Sequence, residues 1–545
     1  MATASVAAPG QPDPSGVMDK GLKKNAIGYL SNIVIGVAST APAYSLAATL
    51  GFIVVVKGVG VHAPAVMLVA FLPMLLVASA YKYFNRADPD AGTTFAWTTR
   101  TFGPSTGWLN GWAIFLSDVI VMASLADIAA IYTFQLFGFT ELGESKAAII
   151  IAAVAWIAIM TWICYRGIEL SARIQQVLLS AEVLILGAFA VVAFVKVYGS
   201  HPPAGSIKPS LDWINPFAMN FGDLVVALLL AVFIYWGWDS GVAVNEESED
   251  PAEGPGKAAV MSTILLVLIY VVVSAAAQSF HGVGFLANEA NQEDILKALG
   301  AGVFGEPLNK LLIIAVLTSA SASTQTTILP TARTTLSMAH WKAVTNLLAR
   351  VHKRFLTPTV STLGFGALSI AITVALLLLS ESVLADSLTA IGFPICFYYG
   401  FTGVACAWYY RHDLGKSAHN FLLLGLGPLI GGLMLFGVAL ANGDAGRWSP
   451  NAPGLIALGY LTFFSSCLAY TAYGWLSLNT TPALIGTYSY VNPAIAAFLG
   501  WQFLDERLSR SQLIGMVIII VGVCILTLPG GSLTDPKTLA EPKTQ

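Results

Sequence analysis

Apolar runs of about twenty residues recur from residue 27 to residue 529, separated by short polar or Gly/Pro-containing stretches. A run of that length matches the hydrocarbon thickness of a bilayer, so each predicts a membrane-crossing helix. The runs fall near 27–56, 63–84, 104–137, 147–165, 172–198, 223–246, 258–280, 307–330, 358–379, 384–410 and 420–441. Three more follow at 454–477, 482–503 and 510–529, giving about fourteen spans. With no water to satisfy backbone groups inside lipid, the pattern predicts an all-α integral membrane protein.

Two runs are irregular. The sixth contains Phe233-Ile-Tyr235-Trp236-Gly237-Trp238-Asp239-Ser240-Gly241, in which two glycines weaken the helix beside a carboxylate and large aromatics. The first contains Ser39-Thr40-Ala41-Pro42, where a mid-span proline removes one amide and clashes with a carbonyl four residues back. Ser39 and Thr40 can bond the carbonyls so freed. Breaks at matching places five spans apart are the sequence mark of a transporter site built on inverted repeats. The plainer alternatives are a proline kink and a glycine used for close helix packing.

Composition agrees with the pattern. Hydrophobic residues make up 56% of the 545 positions and charged residues only 10%, against about 25% charged in soluble proteins. Net charge is −3 with no basic tract, which argues against a nucleic-acid partner. The five cysteines all lie in apolar runs and read as buried thiols, and no zinc spacing or other cofactor motif is present. Residues 1–26, with Lys20, Lys23 and Lys24 near the end, read as a disordered tail and not a cleavable signal. Placing that tail in the cytoplasm puts eighteen Lys/Arg on the inner side and nine on the outer, in line with the positive-inside rule. The densest group, Arg333 through Arg354, then falls in an inner loop after the eighth span, and the C-terminal tail (531–545) is cytoplasmic too.

Ionisable groups inside a membrane are costly and are functional candidates. Asp118 and Asp127 lie in the third span on opposite helix faces. Asp118, thirteen residues after Ser105, sits roughly 20 Å along the helix, near the midplane, and is the better candidate. In the eighth span, seven of the ten residues from Thr318 to Thr327 carry hydroxyls. Such groups commonly bond their own helix's carbonyls or glue helices together.

Several of these stretches resemble the amino acid–polyamine–organocation superfamily of permeases. The resemblance rests on Tyr235-x-Gly237-Trp238-Asp239 with Glu246-Glu247 and Pro251, on Pro89-Asp-Ala91-Gly92-Thr-Thr-Phe95, and on Gly107-Trp108-x-x-Gly111-Trp112. It continues through Arg166-Gly167-Ile168-Glu-Leu-Ser171-Ala172, Arg333-Thr-Thr-Leu-Ser337 and Arg350-Val351-His352, so it covers about residues 20–441. From 454 onward, Ser465-Ser-Cys-Leu-Ala469-Tyr470, Asn492-Pro493 and Asp505-Glu506-Arg507-Leu508 resemble the last three spans of an EamA-type drug/metabolite transporter.

The first resemblance implies a LeuT-like five-plus-five inverted repeat over 27–410, with a peripheral eleventh span at 411–441 and an EamA-like segment at 442–530. It implies that substrate sits where spans one and six unwind, at Ser39, Thr40, Ala41, Phe233, Tyr235, Trp236, Gly237 and Asp239, with Asp118 nearby. The family's usual Gly-Ser-Gly in the first span is replaced here by Thr40-Ala41-Pro42. Glu182 aligns with a lysine that stands in for a bound cation in several members, and a buried carboxyl that gains and loses a proton is what proton coupling needs. Ser323 and Thr324 fall near hydroxyl ligands of sodium-coupled relatives, so sodium coupling is the alternative. Glu246, Glu247, Glu249 and Asp250 lie at the inner end of span six and read as family pattern at a solvated mouth, making a helix-end or gating contact and not a binding site. The expected function is secondary active transport of an amino acid or small organic amine across the plasma membrane, with an EamA-type metabolite exporter as the alternative. A sensor would need an output domain, and an enzyme would need a nucleophile–base pair or a metal set; neither pattern is present.

Overall fold

The computed structural model describes residues 19–442 apart from Glu293 and Glu381. The spans expected at 454–477, 482–503 and 510–529, residues 1–18 and the C-terminal tail lie outside the described residues. Among those described, eleven helices are long and apolar enough to cross a membrane. They are Tyr29–Val55, Gly60–Ala87, Pro104–Phe137, Lys146–Tyr165, Ile168–Tyr198, Phe221–Glu247, Gly254–His281, Lys310–His340, Thr359–Leu379, Asp386–Tyr409 and Ala418–Ala441. These are spans one to eleven below.

Spans one and eight are the most enclosed, with 83% and 78% of their apolar windows buried, against 33% for spans four, five and nine. The two enclosed spans are also less apolar, with mean hydropathies of 1.5 and 1.4 against 2.3 to 2.5 for spans four, five and nine. Small residues such as Ala, Ser and Thr are frequent in both enclosed spans and let backbones approach closely. The hydroxyls of span eight mostly bond the carbonyl one turn back: Ser321 to Leu317, Thr324 to Ala320, Thr327 to Ser323 and Thr331 to Thr327. Most of this polar run thus satisfies itself.

Span eight does not stop at Pro330 as the pattern suggested; it continues to His340 with the proline inside. Arg333, expected in an inner loop, is therefore a helix residue and is 1% exposed. It can be buried because its Nε donates to the equally buried Glu247 carboxylate at the end of span six.

The end of the tail also departs from expectation. Residues 19–26 are docked and not a free basic tail. The Ala26 amide donates to the Glu247 carbonyl at 2.7 Å, and the Glu249 amide donates to Ile27 at 2.9 Å. Lys20 is buried between Asp90, 3.0 Å away, and Glu246. Glu246 and Glu247 therefore do not form a solvated mouth, because each has a cation from a distant segment against it. Glu249 and Asp250 are exposed, as expected.

Candidate functional site

Both irregular spans are broken. Span one runs as helix from Tyr29 to Ser39 and again from Pro42 to Val55. Between them Ala41 has φ 47° and ψ 66°, a left-handed conformation. Pro42 disfavours the right-handed helical region at the residue before it and starts the second half, where a missing amide costs nothing. Span six runs as helix from Phe221 to Tyr235, then turns through an extended Trp236 and Gly237 at φ 118°. Only glycine tolerates that φ without strain. Two short, tight helical turns, Trp238–Gly241 and Asn245–Glu247, complete the span.

The two breaks face each other. The Ser39 and Ser240 hydroxyls are 2.8 Å apart. A Cβ built on Gly237 would lie 2.9 Å from the Ser39 carbonyl carbon and oxygen, so only hydrogen fits there.

The polar groups freed in span one are taken up by side chains. Ser323 donates to the Ser39 carbonyl at 2.9 Å, and Ser45 donates to the Thr40 carbonyl at 2.6 Å. The Ala43 amide donates to Glu182 Oε1 at 2.7 Å, and the Tyr44 amide donates to the Ser319 hydroxyl at 3.2 Å. Ser319 in turn donates to Glu182 Oε1 at 2.8 Å. Glu182, fully buried, thus caps the second half of span one from span five and ties it to span eight. Among the described residues its second oxygen, Oε2, has no hydrogen-bond partner.

The unwound part of span six is held by tyrosines. Tyr399 donates to Asp239 Oδ1 at 2.7 Å, and Tyr81 and Tyr398 approach Oδ2 at 3.4 and 3.5 Å. The Trp236 indole donates to the Tyr398 hydroxyl, and Tyr270 donates to the Ile234 carbonyl. Trp238 stacks on Tyr399 with ring centroids 5.1 Å apart.

Between the breaks lies a cavity of about 30 Å³. That holds a water or two and is too small for an amino acid. It gathers Ser39, Thr40 and Ala41 from span one, and Phe233, Trp236, Gly237 and Asp239 from span six. Asp118 and Ser323 also reach it. Asp118 is partnered as well, since Thr331 of span eight donates to its carboxylate. Three candidates stay out of the cavity. Tyr235 points towards span two, where its hydroxyl donates to the Met67 carbonyl at 3.1 Å. Thr324 is turned to its own helix, so Ser323 and Thr324 do not converge on a common point. Glu182 lies behind span one. Among the described residues no cluster of His, Cys, Asp or Glu could hold a metal ion.

Tyr44, Ser45, Ser240 and Tyr398 also line the cavity and were not singled out from sequence. Ser45 and Ser240 were within reach, being four residues beyond Ala41 and three beyond Gly237. Tyr398 and Tyr399 come from span ten, and nothing near Cys396-Phe-Tyr398-Tyr399 marks them.

Residues 27–448 match the amino acid permease family. The chain belongs to that family. With its apolar helices, membership makes it a multi-pass protein of the plasma membrane. Residues 391–528 match the EamA-like transporter family, so that likeness begins well before residue 454 and overlaps the permease match through spans ten and eleven. The chain is 25% identical over 327 residues to the branched-chain amino acid permease BcaP of Bacillus subtilis, covering 55% of this chain and 64% of that protein. It is 24% identical over 323 residues to mouse Asc-type amino acid transporter 1, covering 56% and 58%. The chain thus spans less than two thirds of either relative. It is also 34% identical over 117 residues to the uncharacterised inner membrane transporter YedA of Escherichia coli, covering 22% and 38%.

Proposed function

We propose that the chain is a secondary active transporter that moves an amino acid or small organic amine by alternating access. The observation that carries this reading is the pair of breaks at Ala41 and Gly237, facing each other across a small polar and aromatic cavity. Family membership and two relatives named as amino acid transporters support the substrate class. Breaks in spans one and six, five spans apart, support a five-plus-five inverted repeat, with both termini in the cytoplasm. Phe233 and Trp236 supply ring faces for an ammonium or an apolar side chain, and Asp239 supplies the negative charge. The Lys20 and Arg333 ion pairs close the side of the site that carries the N-terminal segment, and solute reaches that side once they part.

Coupling to protons runs through Glu182 in this reading. Its carboxylate holds together spans one, five and eight, and its free Oε2 leaves a place for a proton. Protonation removes charge from the start of the Pro42–Val55 half and loosens the tie, so proton uptake and movement of span one are linked. Purified protein in liposomes, offered a panel of radiolabelled amino acids with and without an inward proton gradient, tests the proposal. Gradient-driven accumulation is expected for wild type, and the dependence on the gradient is lost in Glu182→Gln. Unchanged gradient dependence in that variant removes Glu182 from the coupling step, and no uptake of any amino acid or amine removes the transport proposal.

A further inference from the structure

A second cavity, of about 300 Å³, lies away from the substrate site, where span four passes into span five. Arg166 and Arg173 reach it from this junction, Arg354 from the loop after span eight, and Lys23 from the segment before span one. Glu169 is the one carboxylate on its wall and is already paired with Lys23 at 2.7 Å. Among the described residues, none of the three arginines pairs with a carboxylate. Among the described residues their net charge is therefore unanswered.

Two of the three arginines lie against rings. The Arg166 guanidinium lies 5.0 Å from the Trp162 ring centre and 5.2 Å from that of Phe355, and Arg354 lies 5.6 Å from Phe355. Ring contact restrains the Arg166 and Arg354 forks while leaving N–H donors free for phosphate oxygens. Gly167, at φ 130°, turns the chain sharply and starts span five without a side-chain cap, so the positive end of that helix adds to the field.

The surface beside the cavity is apolar and uncovered. On span four, Ile159 and Trp162 are exposed and share a helical face with Arg166. On span five, Leu170, Val177 and Leu184 are exposed at seven-residue intervals, with Arg173 between the first two. An arginine of the same pocket thus sits at the end of the span-four stripe and within the span-five stripe. A free anion would use the arginines and leave the stripes irrelevant, whereas an amphiphile would use both.

We infer that this pocket binds the phosphate of an anionic phospholipid, with the acyl chains lying along the exposed faces of spans four and five. The occupant joins the N-terminal segment, the span four–five junction and the loop after span eight, adding to the ring contacts of Tyr165 with His352 and Phe355 that already link the last two. The inference stands apart from the transport proposal, since none of these residues lines the substrate cavity.

The test uses the full chain, delipidated in a neutral detergent and titrated with phosphatidylglycerol, phosphatidylcholine or inorganic phosphate while thermal unfolding is followed. Phosphatidylglycerol is expected to raise the unfolding midpoint, and the other two at the same phosphate concentration are not. In R166A/R173A/R354A the apparent affinity for phosphatidylglycerol falls at least ten-fold, while R166K/R173K/R354K keeps most of the response. Should the triple alanine variant fail to fold, Arg173→Ala, which loses no partner among the described residues, is read by native mass spectrometry and retains several-fold less phosphatidylglycerol than wild type. Equal stabilisation by phosphatidylcholine or by inorganic phosphate, no stabilisation by phosphatidylglycerol, or an undiminished response in the alanine variants overturns the inference.

Discussion

Replacing Gly237 with alanine perturbs the contact between the two broken spans by a single methyl group. The new Cβ would lie 2.8 Å from the Ser39 hydroxyl oxygen and 2.9 Å from the Ser39 carbonyl carbon and oxygen. Carbon atoms in ordinary contact sit about 3.5–4.0 Å apart, so the backbone of span one has to retreat by roughly 0.6–1 Å. Overpacking of that kind costs about 1–3 kcal/mol. A φ of 118° on a residue with a Cβ adds about 1–3 kcal/mol more. The sum, about 2–6 kcal/mol, falls on the conformation in which the breaks touch. Every transport cycle that passes through that closed state slows by roughly ten-fold for each 1.4 kcal/mol, so a loss of at least about thirty-fold is expected. The assay is uptake of the best amino acid of a panel into liposomes carrying equal amounts of folded wild type or variant. Gly187→Ala is the control, because nothing lies within 4 Å of a Cβ built there, and it keeps wild-type uptake. Gly237→Ala uptake within two-fold of wild type refutes the argument that the breaks must close on each other.

Tyr399→Phe removes the 2.7 Å donor to the buried Asp239 carboxylate. Leaving a buried acceptor short of a donor costs about 1–3 kcal/mol, so substrate affinity or uptake should fall roughly ten-fold while Tyr83→Phe, remote from the cavity, changes little. Burial pushes the Asp88 carboxyl up to about 6, helped by Asp90 and opposed by Arg100 and Lys20. An acid raised in the fold costs stability as pH climbs from about 4 through 6, so Asp88→Asn should unfold later than wild type at pH 7.5, by up to about 3 kcal/mol. The advantage shrinks as pH falls below 6, and an advantage equal at pH 5 and 7.5 counts against it. Burial also raises the Asp90 carboxyl, but Lys20, the Ser337 hydroxyl and the Gly92 amide outweigh it and hold the group at about 2. Its stabilisation is complete above about pH 4 and is lost only as pH falls through 2, so Asp90→Asn destabilises at every pH from 5 to 8. A variant as stable as wild type across that range removes the Lys20–Asp90 pair from the account. Removing residues 452–545 should leave uptake by the remaining chain intact; loss of uptake with the core folded assigns the EamA-like segment a direct role.

What the sequence made legible was local. Span boundaries follow from apolar length, and the observed ends of spans two to seven lie within a few residues of the apolar runs. Both breaks could be placed because their causes, Pro42 and Gly237, lie in the broken segments themselves. Partners from far along the chain could not be read. Nothing around Lys20 announces Asp90 and Glu246, and nothing around Arg333 announces Glu247, so a docked segment looked like a tail and a buried helix like a loop. The aim of side chains was hidden for the same reason: Tyr235 and Trp236 are neighbours in sequence, yet one faces span two and the other the cavity. Pro330 misled in another way. In water a proline would end the helix, but inside a membrane protein the surrounding helices carry it through.

The central claim is that solute is held between the breaks at Ala41 and Gly237. Irradiating the purified full chain with a photoactivatable amino acid analogue and mapping the labelled peptides tests it most directly. Label confined to residues 39–45 and 233–241 and to the cavity-lining Asp118, Ser323 and Tyr398, and lost when excess unlabelled amino acid is present, is the predicted result. Label elsewhere in the chain, or label that competitor leaves unchanged, contradicts it.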